Sequence, residues 1–214
     1  MASLMTDEFD RQVDVLNDKG YPRKAGVSRA VFDETTTRLR KLVEKLKSKS
    51  VDIEKGRIPF VLVTVNSKLN AKWKMSRVSR LGKKGHVAMK PTRPEEFKVL
   101  DGIKIPNAEM YLLVDVDRGA DTLNVTPETA FKMIKRRRRS PLTIDEGLAV
   151  ITQFPDFLQK NNCFSLLASR QPGQKVPAIW IDGEKRPKLG WCWDRNPHTW
   201  LGSASCRQRI AVGP

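Results

Sequence analysis

The run Ile58-Pro59-Phe60-Val61-Leu62-Val63-Thr64-Val65 narrows the choice of fold more than any other stretch of this chain. It is almost continuous in apolar, largely β-branched side chains, so a strand built from it must be covered on both faces. The expectation is a strand central in its sheet. Met110-Tyr111-Leu112-Leu113-Val114-Asp115-Val116 has the same character and reads as a second buried strand. In the last third, Cys163-Phe164-Ser165-Leu166-Leu167-Ala168-Ser169, Pro177-Ala178-Ile179-Trp180-Ile181 and Leu189-Gly190-Trp191-Cys192-Trp193 follow one another across short turn-rich loops. Such spacing predicts an antiparallel meander.

The covering layers must come from helices. Thr6 reads as an N-cap, Asp7 and Glu8 suit the positive end of the helix dipole, Phe9, Val13 and Leu16 form one stripe, and Gly20 is a stop. Tyr21-Pro22 turns the chain. A second helix is expected after Ser28 to about residue 47, with Phe32, Leu39, Leu42, Val43 and Leu46 on one face and a basic opposite face. A third is expected over residues 69–81, although Leu69, Trp73, Met75, Val78 and Leu81 keep to no single stripe, which predicts shallow packing or ordering by a partner. Gly82-Lys83-Lys84-Gly85 then reads as a turn, His86-Val87-Ala88-Met89 as a short strand and residues 97–106 as loop. Thr126 with Pro127 and Glu128 opens a further helix, and Thr143-Ile144-Asp145-Glu146 is a capping box for one running to about residue 154.

Helices before and between the strands, without regular βαβ alternation, give the class α+β: a mixed or antiparallel sheet with N-terminal helices and a C-terminal strand meander. Residues 1–50 read as a helical segment packed on the body, and residues 51–214 as a single α+β domain.

Charge limits the partners. Forty Lys and Arg against 24 Asp and Glu leave a net +16, which implies a polyanion and most often nucleic acid. Residues 51–100 carry 12 basic against 4 acidic groups, half of the whole excess. Lys68, Lys72, Lys74, Arg77, Arg80, Lys83 and Lys84 fall in a segment, residues 66–93, with no acid, and Trp73 among them offers a stacking surface. Lys135, Arg136, Arg137, Arg138 and Arg139 put more charge at a helix C-terminus than its dipole needs. The reading is a non-enzymatic protein that binds DNA or structured RNA, such as ribosomal RNA, through phosphates. No motif for base-specific readout is present. Gly82-Lys83-Lys84-Gly85 lacks the spacing and hydroxyl of a P-loop, and residues 115–121 lack the ligands of an EF-hand, so their acids read as a turn at Asp117-Arg118-Gly119 with Asp115 at a strand end. Three widely spaced cysteines fit reduced thiols. With no signal peptide and no run of transmembrane length, the expectation is a cytoplasmic protein with no membrane partner and no cofactor, its oligomeric state left open.

Residues 187–202 hold three of the five tryptophans and one of the two histidines. Period-two alternation puts Trp191 and Trp193 on one strand face and Cys192 on the other; Asn196-Pro197 ends the strand. Two readings stand: a core layer of indoles, or a ligand pocket of Trp191, Trp193, Asn196, His198 and Trp200. As the alternative to nucleic-acid binding, that pocket would serve a small-molecule-binding protein or an enzyme using Cys192, Asp194 and His198. The spacing of Cys163, Cys192, His198 and Cys206 matches no paired zinc-ligand pattern, and the lone His86 reads as structural.

Leu123-Asn124-Val125-Thr126-Pro127, Ser140-Pro141-Leu142-Thr143-Ile144-Asp145-Glu146-Gly147, Asn162-Cys163-Phe164-Ser165-Leu166-Leu167, Gly190-Trp191-Cys192-Trp193 and Asn196-Pro197-His198-Thr199-Trp200-Leu201-Gly202 occur in this order after the strand at residues 111–117. Together they resemble a family of intracellular proteins of about this length, widespread in actinobacteria, built on a domain of unknown function. The resemblance covers residues 58–206 and implies no activity. Family members are less basic at residues 68–84 and 135–139, so a nucleic-acid role read from those runs would be particular to this chain.

Overall fold

The computed structural model describes residues 2–47 and 50–213. In chain order the elements are α1 (Ala2–Asp18), α2 (Tyr21–Ala25), α3 (Arg29–Val43), β1 (Arg57–Thr64), α4 (Ala71–Arg77), β2 (Ser79–Arg80), β3 (Lys83–Lys84), β4 (His86–Val87), β5 (Lys98–Val99) and β6 (Met110–Asp117). There follow α5 (Pro127–Arg136), β7 (Ser140–Pro141), α6 (Ile144–Gln153), β8 (Cys163–Ser165), β9 (Ser169–Arg170), β10 (Lys175–Ile181), β11 (Pro187–Trp193), β12 (Leu201–Ser203), β13 (Ser205–Cys206) and β14 (Gln208–Ile210). The class is α+β. The junction expected between residues 50 and 51 adjoins residues 48 and 49, which lie outside the described residues.

The first sheet has the order β1-β6-β13-β7, with β14 also on β6. The apolar run at residues 58–65 therefore forms an edge strand and not the expected central one; β6 is central. Its burial comes from layers above and below. Val61 and Val63 with Tyr111 and Leu113 face a large core shared with α6 and the second sheet. Phe60 and Leu62 with Met110, Leu112 and Val114 face a smaller core filled by Phe9, Leu16, Phe32 and Leu39 of the N-terminal helices. The open edge is closed by one side chain. Gln12 Nε2 donates to the Phe60 carbonyl at 3.1 Å, and the Leu62 N–H donates to Gln12 Oε1 at 2.7 Å, so an amide of α1 stands where a neighbouring strand would.

Helix α6 runs through the large core with eight of its ten residues buried, leaving almost no solvated face. Gly147 permits this, because a Cβ there would lie 2.4 Å from Leu166 Cδ2. At the helix start Glu146, 0% exposed, closes the expected capping box by accepting from the Thr143 N–H at 2.8 Å. The same carboxylate accepts from Tyr111 Oη at 3.0 Å and is held by the Arg209 guanidinium of β14, which also donates to Ser140 Oγ and the Pro141 carbonyl. Burial would lower the Arg209 pKa, but the bond to Glu146 raises it above the ordinary value.

The second sheet has the order β12-β8-β10-β11-β4. Strands β8, β10 and β11 form the expected antiparallel meander, while β12 and β4 join its two edges in parallel, making the sheet mixed.

Local structure departs from the sequence reading at several points. α1 begins before Thr6, because Met5 extends the Phe9 stripe by a turn. Residues 21–25, expected as a turn, form α2. α3 stops at Val43, where Lys45 and Leu46 N–H groups bond three residues back to Leu42 and Val43. α4 is shorter than residues 69–81: Asn70 caps it, and Val78 turns extended to feed the β2–β3 hairpin. That hairpin turns at Leu81-Gly82, both in the left-handed region with φ 47° and 75°, so Lys83 and Lys84 are strand residues and not turn. β4 ends at Val87, short of Met89, and the loop at residues 97–106 contains β5, paired with β9. Asp115 lies within β6, with φ 55°, and not at its end.

Gln12→Leu should strand the Phe60 carbonyl and Leu62 N–H at a buried edge and cost about 1–3 kcal/mol. An unchanged urea midpoint would refute the role given to Gln12. Arg209→Leu should cost more, about 3–5 kcal/mol, because Glu146 is left as a buried unpaired charge; a double variant with Glu146→Leu should recover part of that loss in the same denaturation series.

Candidate functional site

The antiparallel β10–β11 ladder arranges aromatic and cationic side chains in cross-strand pairs. Lys175 is opposite Trp193, Pro177 opposite Trp191, and Trp180 opposite Lys188. Partners across a ladder share a face, so lysine and indole meet. Lys175 Nζ lies 4.7 Å from the Trp191 ring centre and 5.9 Å from that of Trp193, and Lys188 Nζ lies 4.9 Å from that of Trp180. Trp191 and Trp193 pack edge to face at 5.1 Å, on one strand face as expected. Gly190 lets the Trp180 ring lie against the strand, since a Cβ there would sit 2.2 Å from the indole.

Beyond the strand, residues 194–200 fold back and bring His198 and Trp200 to Trp180. The Trp180 and Trp200 rings meet edge to face at 5.8 Å, and His198 stacks at a tilt on Trp200 at 5.0 Å. Between them is a pocket of about 260 Å³, lined by Trp180, the strand residues Trp191, Cys192 and Trp193, and Asn196, His198, Trp200 and Leu201. The His198 carbonyl accepts from the Asn124 N–H at 2.9 Å, which fixes the turn. Its ring Nε2 is buried and has no partner among the described residues. Burial also holds the imidazole pKa below the ordinary 6.5, favouring the neutral ring.

Trp180 and Trp200 also wall a second cleft of about 720 Å³, lined by Arg80, Lys160, Lys185 and Lys188. Arg80 faces Asp156 at 3.7 Å, but among the described residues the three lysines have no carboxylate partner. Asp182 at the cleft floor is occupied: burial would raise its pKa, but the Arg186 and Glu184 N–H groups, His86 and the Arg186 side chain hold it down to about 2. The His86 bond, 2.8 Å, ties β4 to the β10–β11 turn and makes that histidine structural. In the β2–β3 hairpin Lys83 is opposite Arg80 and Lys84 opposite Ser79, so the exposed Lys83 shares the face of Arg80 and Lys84, also exposed, takes the other.

The basic residues singled out in the sequence divide into three kinds. Lys68, Lys72, Arg77, Lys83, Lys84, Lys135, Arg136 and Arg138 are exposed, and Arg137, also exposed, is ion-paired with Asp121. Lys74 is a core residue, 2% exposed, bonded to Asp145 at 2.6 Å and to the Thr64 carbonyl at 2.8 Å. Arg139 likewise turns inward to Asp115 at 3.0 Å and Ser205 Oγ at 2.8 Å. Trp73 gives its edge to Tyr21 at 4.9 Å and one face to Arg77 at 5.0 Å, so it is no free stacking platform. The two basic runs also lie apart, one on α4 and the hairpin, the other where α5 meets β7.

Of the enzyme residues, Cys192 and His198 line the same pocket, whereas Asp194 is not part of its lining. Cys192 is buried, which pushes its thiol up to about 11, and its partner is Ser165. Asp194 is ion-paired with Arg170 at 2.9 Å, away from His198. Cys163 and Cys206 are buried too, and no three His, Cys, Asp or Glu side chains gather as a metal site among the described residues. Sequence reasoning missed Trp180, Lys160, Lys175, Lys185 and Lys188. Folding the meander about residue 184 would have paired Trp180 with Lys188 and Trp193 with Lys175.

These features define an α+β protein with a basic, tryptophan-walled cleft along its second sheet. The chain belongs to the Family of unknown function (DUF5701), whose model matches residues 15–212. The match reaches beyond residues 58–206 and takes in α2, α3 and β14 with its Arg209. No curated protein and no solved structure matches the chain. Among the described residues no helix is long and apolar enough to cross a membrane.

His198 supplies a pH test. Its folded pKa is depressed, so the unfolded chain binds the proton more tightly and stability falls with acidity. The unfolding midpoint should be level above pH 6.5, fall as pH drops through and below 6.5, and level again once below the folded value; His198→Asn should remove that step. An identical profile in the variant would show that the ring is not buried as described.

Proposed function

We propose that this protein binds nucleic acid through phosphate contacts and catalyses no reaction. The observation that carries the reading is the cleft in which Arg80, Lys160, Lys185 and Lys188 surround Trp180 and Trp200, its three lysines without carboxylate partners among the described residues. Lysines that neutralise no carboxylate of their own are available to phosphate, and release of condensed counterions then drives binding. Lys83, opposite Arg80 in the hairpin, adds an exposed cation next to that residue. The thiols, pushed up by burial, and the engagement of Asp194 by Arg170 give the enzyme reading no comparable support.

Neutralising Lys83, Lys84, Lys160, Lys185 and Lys188 together to Gln should weaken binding to a labelled oligonucleotide. The slope of log K against log salt should flatten by about 0.7 for each single-strand phosphate that the variant no longer neutralises, with little change in the thermal midpoint. Retention of parent affinity and slope by the folded variant would reject the proposal.

A further inference from the structure

The β2–β3 hairpin ends in a residue that neither folding nor phosphate binding explains. Leu81 is 76% exposed, the most exposed large apolar side chain among the described residues, and it takes the first corner of a two-residue turn with φ 47°. Both central positions of such a turn need left-handed backbone, which asparagine, aspartate and glycine adopt readily and leucine does not. One side chain thus goes against the chemistry of its turn and against burial at once, and departures of this kind concentrate at functional sites. The rest of the hairpin suits a narrow, anionic target. Gly82 carries no side chain, and nothing lies within 4 Å of where its Cβ would be, so the tip stands clear with Leu81 as its one side chain. Register puts Lys83 on the face of Arg80 and Lys84 on the face of Ser79, so each face of the ribbon behind the tip bears an exposed lysine. Arg80 has a carboxylate, Asp156 at 3.7 Å, but Lys83 and Lys84 have none among the described residues.

We propose that the β2–β3 hairpin is a wedge for duplex DNA: Leu81 enters the minor groove and slides between two base pairs, while Lys83 and Lys84 hold the phosphates on either side of the groove. This rests on the nucleic-acid reading above and narrows its target to a double helix. Apolar side chains inserted at a base step unstack it and bend the duplex. A minor groove about 6 Å wide admits a turn tip that carries one side chain, where it would not admit a helix. Phosphates border that groove on both sides, which matches a lysine on each face of the ribbon. A membrane surface, the other common target of a leucine among lysines, demands more apolar contact: a whole myristoyl chain anchors a protein only marginally, and a leucine side chain is far shorter. Between stacked bases the same side chain is enclosed from above and below. The A-form helix of RNA fits less well, since its minor groove is wide and shallow and offers the two lysines no pair of close walls.

The test uses the full chain and a DNA duplex of about 25 base pairs, stiff at that length, with a donor and an acceptor dye at its two ends. Binding of the parent should raise energy transfer as the duplex bends. Leu81→Asn should abolish that rise and weaken affinity about tenfold, the low end for burial of one leucine side chain. Its salt slope should stay at the parent value, because Leu81 neutralises no phosphate. Asparagine suits the turn better than leucine, so this variant should fold with a thermal midpoint no lower than the parent's. Lys83→Gln together with Lys84→Gln should instead flatten the slope by about 1.8, the share of two duplex phosphates. A Leu81→Asn protein that binds and bends the duplex like the parent, or a parent that binds it unbent or prefers a single strand of the same sequence, would overturn the wedge and leave phosphate binding standing. Failure of the parent to bind either duplex or single strand would overturn both. An RNA duplex bound and bent as well as DNA, or Leu81-dependent binding to phosphatidylglycerol vesicles without bending of the duplex, would overturn the choice of DNA.

Discussion

The buried pair Glu146–Arg209 is the interaction on which the rest of the architecture depends. Glu146 has no exposure, and a carboxylate so placed is tolerable only when every lone pair is answered. Tyr111 answers from β6, Thr143 from the helix cap and Arg209 from β14, while Arg209 reaches on to β7. Three strands, β6, β7 and β14, are thereby fixed to the first turn of α6. Taking two charges out of water is expensive, so the pair is better understood as a device for register than as a source of net stability. It determines which short strands join β6 and how α6 enters the core.

With α6 fixed, the second sheet has one place to go. The helix presents Gly147 to Leu166, the turn that follows β8, and so sets the meander against the core. β4 then pairs in parallel with β11, carrying the basic segment that starts at α4 to the strand that bears Trp191 and Trp193. The cationic hairpin and the indoles, about a hundred residues apart in the chain, meet through this one parallel pairing.

The parts of this arrangement legible in the sequence are those governed by neighbours a few residues apart. Thr126, Thr143 and Glu146 mark helix starts because the bonds that make a cap span three residues. The meander and the shared face of Trp191 and Trp193 follow from period-two alternation and short loops. Sheet order was not legible: the two- and three-residue strands β13 and β14, too short to show any pattern, place β6 at the centre and leave β1 at the edge. Nor could the cations be sorted. Lys74 and Lys72 look alike in sequence, and only Asp145, 71 positions away, distinguishes a core ion pair from a solvated charge. Arg139 differs from Arg138 for the same reason, through Asp115. The pocket at His198 was half legible, its aromatic wall from composition and its unanswered nitrogen only from packing.

Gln12 also bears on how these molecules behave in company. An eight-residue edge strand of almost wholly apolar side chains is a template on which another chain could add a strand of its own, the first step toward fibrous assembly. Proteins usually blunt such an edge with lysine, proline or a bulge. Here the hydrogen-bonding row is answered mid-strand by an amide from a helix, and α1 lies over the flank that an incoming strand would need. The N-terminal helix is thus a cover for that edge as well as a layer of core, and the cover is made through the two bonds of one side chain.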